Sequence, residues 1–293
     1  NNNTQKLHTY GYFIEKNGVK IVECKICKYK HILPLPTKEE LEKFYKNNYQ
    51  ESTPSPNFED KKETIFKNTS LSGNQQKRIL DIGCWGGDFL DLFPSETWSK
   101  VGIEPNPQKA AMAEKKGIKV YKQVLEKIDF NQLGKFNAIN LSFILEHILN
   151  PKEILEIIYR QLLYSKGIIC VEVPNEFNPL QEAIITSLKL ERWWISIPDH
   201  INYFNFNTLR RLLKATGFEI VLEETSFPME LFVLMGENYI KNSAIGKKAH
   251  QQRLEFETNL LTAGMNDFKR KFYQLLPKLN IGRSVIIYAK KPK

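Results

Sequence analysis

The sequence lacks any apolar run long enough to span a membrane, and its first residues do not form a signal-like apolar segment. It also lacks internal repeats and low-complexity stretches. We therefore expect a cytoplasmic protein that does not insert into a membrane. Its 293 residues, 42% of them hydrophobic, are enough for one large domain or two modest ones.

Two common nucleotide-binding motifs are missing as well. A nicotinamide site needs G-x-G-x-x-G, but counting from Gly83 the later glycine positions carry Trp85 and Asp88. A P-loop needs a Lys followed by Ser or Thr after its glycines, and none follows here. The sequence therefore argues against both kinds of nucleotide site at this position.

A strand, a glycine turn and a helix nevertheless follow one another directly after residue 77. Residues 78–82 are a short apolar run with β-branched side chains, which predicts a buried strand. Gly83, Gly86 and Gly87 allow a tight turn, and helical spacing begins at Asp88. This order predicts free backbone N–H groups at a ligand crevice above a sheet.

An acid two residues before the first glycine narrows the class of ligand. The motif D-I-G-C-W-G-G at residues 81–87 resembles motif I of class I S-adenosylmethionine (SAM) methyltransferases, D/E-x-G-x-G-x-G, with Trp85 replacing the middle glycine. The next predicted strand ends at Glu104, about 20 residues after the first glycine, where doubly wound folds place a ribose-binding carboxylate. The alternative for Glu104 is a solvated acid at a strand end.

The resemblance implies a SAM site built from this motif and from the ends of neighbouring strands. A carboxylate at Glu104 accepts hydrogen bonds, so it suits both ribose hydroxyls of an adenosine ligand. Ser142 and Phe143, at the end of a predicted strand at 136–143, would line the methionine side. The predicted cofactor set is Asp81, Gly83, Cys84, Trp85, Gly87, Glu104, Pro105, Ser142 and Phe143.

Strands and helices alternate along the core, which predicts parallel strands with helices on both faces. The resemblance implies an α/β, Rossmann-like doubly wound sheet of seven strands, the last one antiparallel between the fifth and sixth. Further strands are predicted at residues 118–121, 136–143, 167–173, 218–225 and 284–289. We expect an N-terminal segment at 1–56, a SAM-binding core at 57–227, a helical cap insertion at 228–283 and the last core strand at 284–293.

The N-terminal segment contains half of a metal-binding pattern. Residues 10–33 look like short antiparallel strands, and Cys24-x-x-Cys27 has the spacing at which two thiolates share one zinc ion. No second pair follows, and nothing in the spacing of His8 or His31 favours adding them. A redox pair would need a βαβ context that is missing here, and two unligated cysteines are the remaining interpretation.

The stretch that follows carries a second family resemblance. A capping box at Thr37 and Glu40 predicts a helix with Leu41, Phe44 and Tyr45 on one face, then a linker at 52–56 and a polar helix at 57–69. The order of C-x-x-C, Pro-x-Pro, Glu-Glu-Leu helix and motif I is similar to a bacterial group of sugar and cell-surface-polysaccharide methyltransferases. Members of that group often bind zinc through two C-x-x-C pairs, and this sequence shows only the second. The resemblance therefore implies either zinc bound with a further pair upstream or a zinc site that has decayed.

Two segments provide candidates for the substrate side. Residues 136–151 are similar to the same group's F-D-x-I … E-H-x-x-x-P segment, with Asn137 replacing the Asp and with His147 in an orienting or packing role. Asn175 follows the predicted fifth strand, at the edge where substrates bind. We therefore include His147 and Asn175 among the substrate-binding candidates.

Residues 191–206 are too aromatic for an ordinary loop, and Asn207 is expected to cap the helix that follows them. Asp199-His200 resembles the D/E-H-x-x-x-F-S/T element of SAM-dependent sugar methyltransferases, which implies that His200 is the general base. Asp199 would hold its tautomer. Trp193, Trp194 and Tyr203 are candidates for stacking on a sugar ring or on the sulfonium. The alternative is that His200 and these aromatic side chains only pack a lid.

The net charge of +9 is concentrated outside the core, with +7 in residues 228–293. This surplus would attract a phosphate-bearing substrate, although solvated lysine explains it too. The leading hypothesis is O- or C-methyl transfer from SAM to a small glycosyl or phosphorylated intermediate of surface-polysaccharide synthesis, without a nucleic-acid partner. RNA or protein methylation is one alternative, disfavoured because the N/D-P-P-Y/F motif is missing. A catalytically inactive SAM-binding protein is the other.

Overall fold

The computed structural model describes residues 8–37, 39–41, 58–69 and 76–293. Its strands are β1 (Tyr10–Lys16), β2 (Val19–Cys24), β3 (Lys30–Leu33), β4 (Lys77–Ile82), β5 (Trp98–Ile103), β6 (Lys119–Tyr121), β7 (Phe136–Ser142), β8 (Leu163–Pro174), β9 (Asn202–Tyr203), β10 (Glu219–Glu224) and β11 (Ser284–Lys290). Its helices are α1 (Phe58–Asn68), α2 (Asp88–Asp91), α3 (Pro107–Lys115), α4 (Pro151–Ile157), α5 (Pro179–Leu188), α6 (Phe206–Thr216), α7 (Glu230–Leu234), α8 (Ser243–Thr262) and α9 (Asn266–Leu275).

Seven strands form one mixed sheet in the order β10-β11-β8-β7-β4-β5-β6. The pairs β4–β5, β4–β7, β5–β6 and β7–β8 are parallel. β11 runs antiparallel to β8: Lys166 and Gly167, early in β8, bond to Lys291 just after β11, whereas the N–H of Asn175, just after β8, donates to the carbonyl of Arg283 just before β11. The predicted α/β Rossmann-like sheet, with its last strand between the fifth and sixth, is therefore confirmed.

The central strands are buried on both faces, as parallel strands covered by helices must be. In β4 the residues from Ile79 to Ile82 are all buried, and in β7 those from Ala138 to Leu141 are too. Ile82 pairs with Ile103 of β5 and with Leu141 of β7, so three strands end at the same edge of the sheet. The chain order reverses between β4 and β7, which is where doubly wound folds bind ligands.

The chain separates into two compact units. One comprises the described residues from Phe58 to Glu172 with Arg210–Val221 and Ile287–Lys293; the other comprises the N-terminal residues with Val173–Leu209 and Leu222–Ile286. The second unit contains a separate antiparallel sheet in the order β1-β2-β3-β9. The expected short N-terminal strands are thus present, and the two-residue strand β9 extends their sheet.

The predicted capping box is present, since the N–H of Glu40 donates to Thr37 Oγ1 at 3.1 Å and the N–H of Thr37 donates to Glu40 Oε2 at 2.7 Å. The helix contains Leu41, whereas Phe44, Tyr45 and the predicted linker at 52–56 lie outside the described residues.

One predicted cap is wrong. The helix α6 begins at Phe206, so Asn207 lies inside it, and the N–H of Thr208 donates to the side chain of Asn205 at 3.0 Å. Two Asn residues flank the helix start in the sequence, and the side chain of the one before Phe206 accepts an N–H of the first turn. Among the described helices, none is both long and apolar enough to cross a membrane.

Gly87 offers a test of this packing. An added Cβ would lie 2.5 Å from Ile118 Cδ1 and 2.9 Å from Ala113 Cβ, at a φ of +81°. Gly117 has a similar φ of +73° but nothing within 4 Å of that position. We expect Gly117→Ala to cost about 1 to 2 kcal/mol of unfolding free energy, and Gly87→Ala to cost about 1 to 3 kcal/mol more because of the clash. Urea denaturation measures both; equal losses would contradict the packing described here.

Candidate functional site

The glycine turn after β4 is bonded to the end of β5. The N–H groups of Gly83 and Cys84 both donate to the carbonyl of Ile103, at 2.9 and 3.1 Å. The N–H of Gly87 donates to the carbonyl of Cys84 at 2.9 Å. The expectation of free N–H groups in this turn is therefore wrong for these three residues, because the neighbouring strand end and the turn itself use them. Gly83 and Gly87 have φ values of +76° and +81°, which explains the glycines.

Glu104 follows β5 directly and is buried, with 2% of its surface exposed. Its Oε2 accepts the N–H of Trp85 at 3.0 Å, and its Oε1 accepts the N–H of Asn106 at 2.8 Å. A carboxylate oxygen has two lone pairs, so an oxygen that accepts one N–H can also accept a hydrogen bond from a ribose hydroxyl. Glu104 therefore ties the glycine turn to the start of α3, and Pro105 lies exposed between them.

Two aromatic residues of the predicted cofactor set have left-handed backbones. Trp85 has a φ of 51°, which explains why related motifs place glycine there, and Lys109 Nζ lies 4.5 Å from the centroid of its ring. Phe143 has a φ of 56° and is 39% exposed, directly after β7. Such conformations cost about 1 to 2 kcal/mol for a side chain other than glycine. Both residues hold costly conformations at the carboxyl edge of the sheet, where strain often accompanies function.

Asp81 lies beneath the turn and is buried. Asn140 Nδ2 donates to Asp81 Oδ1 at 2.6 Å, across the parallel pair of β4 and β7. Burial raises the pKa of Asp81 to about 7, against the lowering effects of Asn140 and Lys61. Asp81 therefore shapes the floor of the site through a buried polar contact.

A buried lysine links α1 to the same network. Lys61 is fully buried, forms an ion pair with Glu172 of β8 and donates to Ser142 Oγ at 2.7 Å. Ser142 Oγ in turn donates to Asn140 Oδ1 at 3.3 Å. Burial alone would lower the pKa of Lys61, but the carboxylate of Glu172 raises it above its ordinary value. A chain of polar contacts therefore runs from α1 to Asp81.

In the other unit, a buried glutamate holds the predicted base. His200 Nδ1 lies 2.8 Å from Glu176 Oε1, and Glu176 is 3% exposed. Asp199 Oδ2 lies 3.9 Å from His200 Nε2, beyond hydrogen-bond distance. Burial raises the pKa of Glu176, and its contact with His200 opposes that rise. The orienting contact expected from Asp199 is thus made by Glu176.

The predicted stacking residues differ in exposure. Trp194 and Tyr203 are 8% and 2% exposed, and both rings pack edge-on against Phe177, with centroids 5.5 and 5.7 Å away. Trp193 is half-buried and lies edge-on to Trp194 at 4.8 Å. Trp194 and Tyr203 are therefore buried packing residues, and Trp193 is the one of the three whose ring is partly accessible to solvent.

Asn175 and His147 have local partners. Asn175 is buried and its Nδ2 donates to the carbonyls of Asn280 and Gly282, at 3.1 and 2.9 Å. His147 ends a short 3₁₀ turn, Leu145–His147, with its Nε2 3.8 Å from Glu146 Oε1. His147 belongs to the unit of Asp81 and Glu104, whereas Asn175 belongs to the unit of His200.

The predicted metal pair has two additional neighbours. Cys24 ends β2 and Cys27 lies in the turn before β3. His8 and His31 place a ring nitrogen near both sulfurs, and the four candidate ligand atoms all lie within 4.8 Å of one another. The structure thus assembles a Cys/His cluster that the sequence spacing did not predict.

Comparison with known families agrees with the fold and the motif. A family model described as a methyltransferase domain matches residues 57–223, more than half of the chain. The chain belongs to the SAM-dependent methyltransferase family. A comparison with curated proteins finds no significant match.

Solved structures with a similar fold include a SAM-dependent methyltransferase from Archaeoglobus fulgidus, with 20% identity, a TM-score of 0.48 and coverage of 85% of this chain and 99% of that one. One from Listeria monocytogenes has 16% identity, a TM-score of 0.46 and coverage of 80% and 98%. The 4+2 cyclase SpnF has 17% identity, a TM-score of 0.51 and coverage of 88% and 98%. At these identities the likeness concerns the fold.

Sequence reasoning missed two charged residues of this methyltransferase. Lys61, Thr64 and Ile65 are all buried and share one face of α1. A lysine at a position where helical spacing predicts a buried side chain was therefore the signal in the sequence. Glu176 directly follows a buried strand and Asn175, a position where acids often serve ligands. Asn137, which departs from the related motif, accepts the N–H of Arg78 at 2.8 Å near the amino end of β7. The position at which Asn replaces the Asp of the related motif therefore lies away from the carboxyl edge of the sheet.

Removing Lys61 should strand a buried carboxylate. We expect Lys61→Met to lower the unfolding free energy by about 3 to 5 kcal/mol, because Glu172 loses its counter-charge. Lys61→Met with Glu172→Met should recover most of that loss. Lys67→Met is the control on the same helix: its partner Glu63 is exposed, so the change should stay below about 1 kcal/mol. Chemical denaturation measures all three, and a wild-type value for Lys61→Met would contradict the network.

The pKa of Asp81 predicts a pH dependence of stability. Its folded-state pKa of about 7 exceeds the ordinary 3.8, so the folded protein keeps a proton that the unfolded chain releases. The unfolding free energy contributed by Asp81 should therefore fall as pH rises through this window, by about 2 to 3 kcal/mol between pH 5 and 8. The side chain in Asp81→Asn cannot ionise. Between pH 5 and 8 the unfolding free energy of this variant, measured by urea denaturation, should therefore fall by about 2 to 3 kcal/mol less than that of the wild type. Parallel pH dependences of variant and wild type would contradict the assignment.

Proposed function

We propose that this methyltransferase transfers a methyl group from SAM to a hydroxyl of a small glycosyl or phosphorylated acceptor, with His200 as general base. The contact of 2.8 Å between His200 Nδ1 and Glu176 Oε1 carries this proposal. The polysaccharide context rests on the sequence resemblance described above, and an intermediate of surface-polysaccharide assembly is the acceptor class we propose.

The proposed SAM site uses the carboxyl ends of β4, β5 and β7. The Gly83–Gly87 turn would receive the cofactor, Glu104 would accept from the ribose hydroxyls, and Ser142 and Phe143 would border the methionine portion. The fit rests on the buried carboxylate of Glu104 beside a turn kept open by glycine and on the exposed ring of Phe143. Bound SAM supplies an electrophilic methyl group on a sulfonium.

The proposed base acts through its second ring nitrogen. Because a carboxylate only accepts, the Nδ1–H of His200 donates to Glu176, and the lone pair is then on Nε2. Nε2 would take the proton that the acceptor hydroxyl loses as its oxygen bonds to the methyl carbon. The bond from that carbon to the sulfonium sulfur would break, and S-adenosylhomocysteine would leave. Glu176 stabilises the resulting imidazolium, so it is a positioning residue rather than a proton acceptor.

The aromatic side chains favour a ring-shaped acceptor. Trp193 presents a half-buried indole backed by Trp194 at 4.8 Å, which is a rigid face for one side of a sugar ring. The basic surplus of residues 228–293, +7, would favour an acceptor that carries phosphate. A nucleotide sugar combines both properties.

The test is methyl transfer to a panel of nucleotide sugars, followed as release of S-adenosylhomocysteine. His200→Ala should lower kcat by about 100- to 10,000-fold while SAM binding is kept. Glu176→Gln should lower kcat at least about tenfold and move the acid limb of the pH profile to lower pH, because the carboxylate no longer favours the imidazolium. His250→Ala, on the exposed face of α8, is the control and should match the wild type.

Three outcomes would overturn the proposal. A wild-type kcat in His200→Ala would show that His200 is not the base. SAM binding without turnover on any acceptor of the panel would favour an inactive SAM-binding protein. Salt-sensitive methylation of RNA in place of nucleotide sugars would favour the nucleic-acid alternative.

A further inference from the structure

The turn between β2 and β3 places two sulfurs side by side. Cys24 is buried at the end of β2, and the N–H of Cys27 donates to Cys24 Sγ at 3.3 Å. The N–H of Lys28 donates to the carbonyl of Cys24 at 3.0 Å, and Lys28 has a φ of 65°. The backbone thus curls around the first sulfur and directs both thiols to the same side.

His8 lies almost equally close to both sulfurs. Its Nδ1 is 3.4 Å from Cys24 Sγ and 3.5 Å from Cys27 Sγ. For a tetrahedral zinc ion with ordinary bond lengths, the nitrogen-to-sulfur edge is about 3.5 Å. One ring nitrogen at this distance from two thiols is therefore placed as a vertex of such a tetrahedron.

His31 supplies the fourth vertex from the opposite strand. Its ring centroid lies 4.5 Å from that of His8, and the residue is 1% exposed. Its Nδ1 lies 2.9 Å from the carbonyl of Ile32, which can only accept, so Nδ1 carries the proton and Nε2 carries a lone pair. Among the described residues, Nε2 has no hydrogen-bond partner. A buried lone pair without a partner is costly, and a metal ion at the cluster would satisfy it.

We propose that Cys24, Cys27, His8 and His31 bind one structural zinc ion. Two thiolates and two imidazoles are the ligand set that zinc favours in closed tetrahedral sites. All four positions are protein atoms, so the site has no open position for catalysis. The contact from His31 Nδ1 to the backbone is the kind of outer-shell bond that orients a metal-binding imidazole.

The small sheet gives the ion a physical role. None of the residues of β1 is buried, and the buried side chains of the sheet's first three strands include only a few apolar ones, such as Ile21, Val22 and Ile32. Sheets with so little core need an additional constraint such as a disulfide or a metal. Zinc would tie His8, two residues before β1, to the turn after β2 and to β3.

The test measures metal on the full chain after chelation and dialysis. We expect one zinc ion per chain on reconstitution with Zn²⁺, and with Co²⁺ the thiolate charge-transfer and d–d absorption bands of tetrahedral cobalt. Cys27→Ser and His31→Ala should each weaken Zn²⁺ affinity by at least about 100-fold, since losing a ligand exceeds losing an outer-shell partner. His250→Ala is the matched control and should bind as the wild type does.

The wild-type measurements keep the test independent of whether the variants fold. Failure of the reduced wild-type chain to take up zinc would overturn the proposal, as would a cobalt spectrum without thiolate bands. Zinc affinity unchanged in Cys27→Ser would show that other residues bind it. A Cys24–Cys27 disulfide with no metal uptake after reduction would assign the pair to redox chemistry instead.

Discussion

The carbonyl of Ile103 accepts two backbone N–H groups, from Gly83 and Cys84, and these bonds fix the turn after β4 against the end of β5. Glu104 comes next in the chain, so the same constraint brings its carboxylate to the N–H of Trp85 at 3.0 Å. An acid and a glycine turn from separate strands thereby become one site. β4 pairs in parallel with both β5 and β7, and its pairing with β5 sets the distance between the glycine turn and Glu104.

The ionisable groups beneath this turn are buried, and each has a polar partner. Asp81 receives a hydrogen bond from Asn140, and Lys61 is paired with Glu172. The sheet is covered on both faces, so water does not reach these groups to replace a lost partner. Each polar group therefore depends on its neighbour for hydrogen bonds. The same logic recurs in the other unit, where buried Glu176 is paired with His200. Buried polar groups of this methyltransferase are thus held by partners that cannot be removed singly.

Local patterns predicted the parts of the site that one chain segment builds. The strand, the glycine turn and the acid that ends the second strand are readable because each follows from neighbours in sequence. Lys61 and Glu176 were not predicted, because their partners lie 24 or more residues away along the chain. The spacing of His8 and His31 gave no reason to add them to the cysteine pair, and only the fold brings the four side chains together. The free N–H groups were predicted wrongly at Gly83 and Cys84, since a strand end distant in sequence occupies them. The spacing of residues in sequence predicts which side chains and turns lie together locally. Pairing between strands decides which of their N–H groups remain unbonded.

The central claim is that the edge formed by β4, β5 and β7 binds SAM through the glycine turn and Glu104. Calorimetric titration of the full chain tests it most directly, with SAM and NADH as ligands and Glu104→Ala as the variant. We expect one SAM bound per chain, no heat from NADH, and a loss of SAM affinity of at least about tenfold in the variant, as for a lost charged hydrogen-bond acceptor. Binding of NADH in place of SAM, or wild-type SAM affinity in Glu104→Ala, would contradict it.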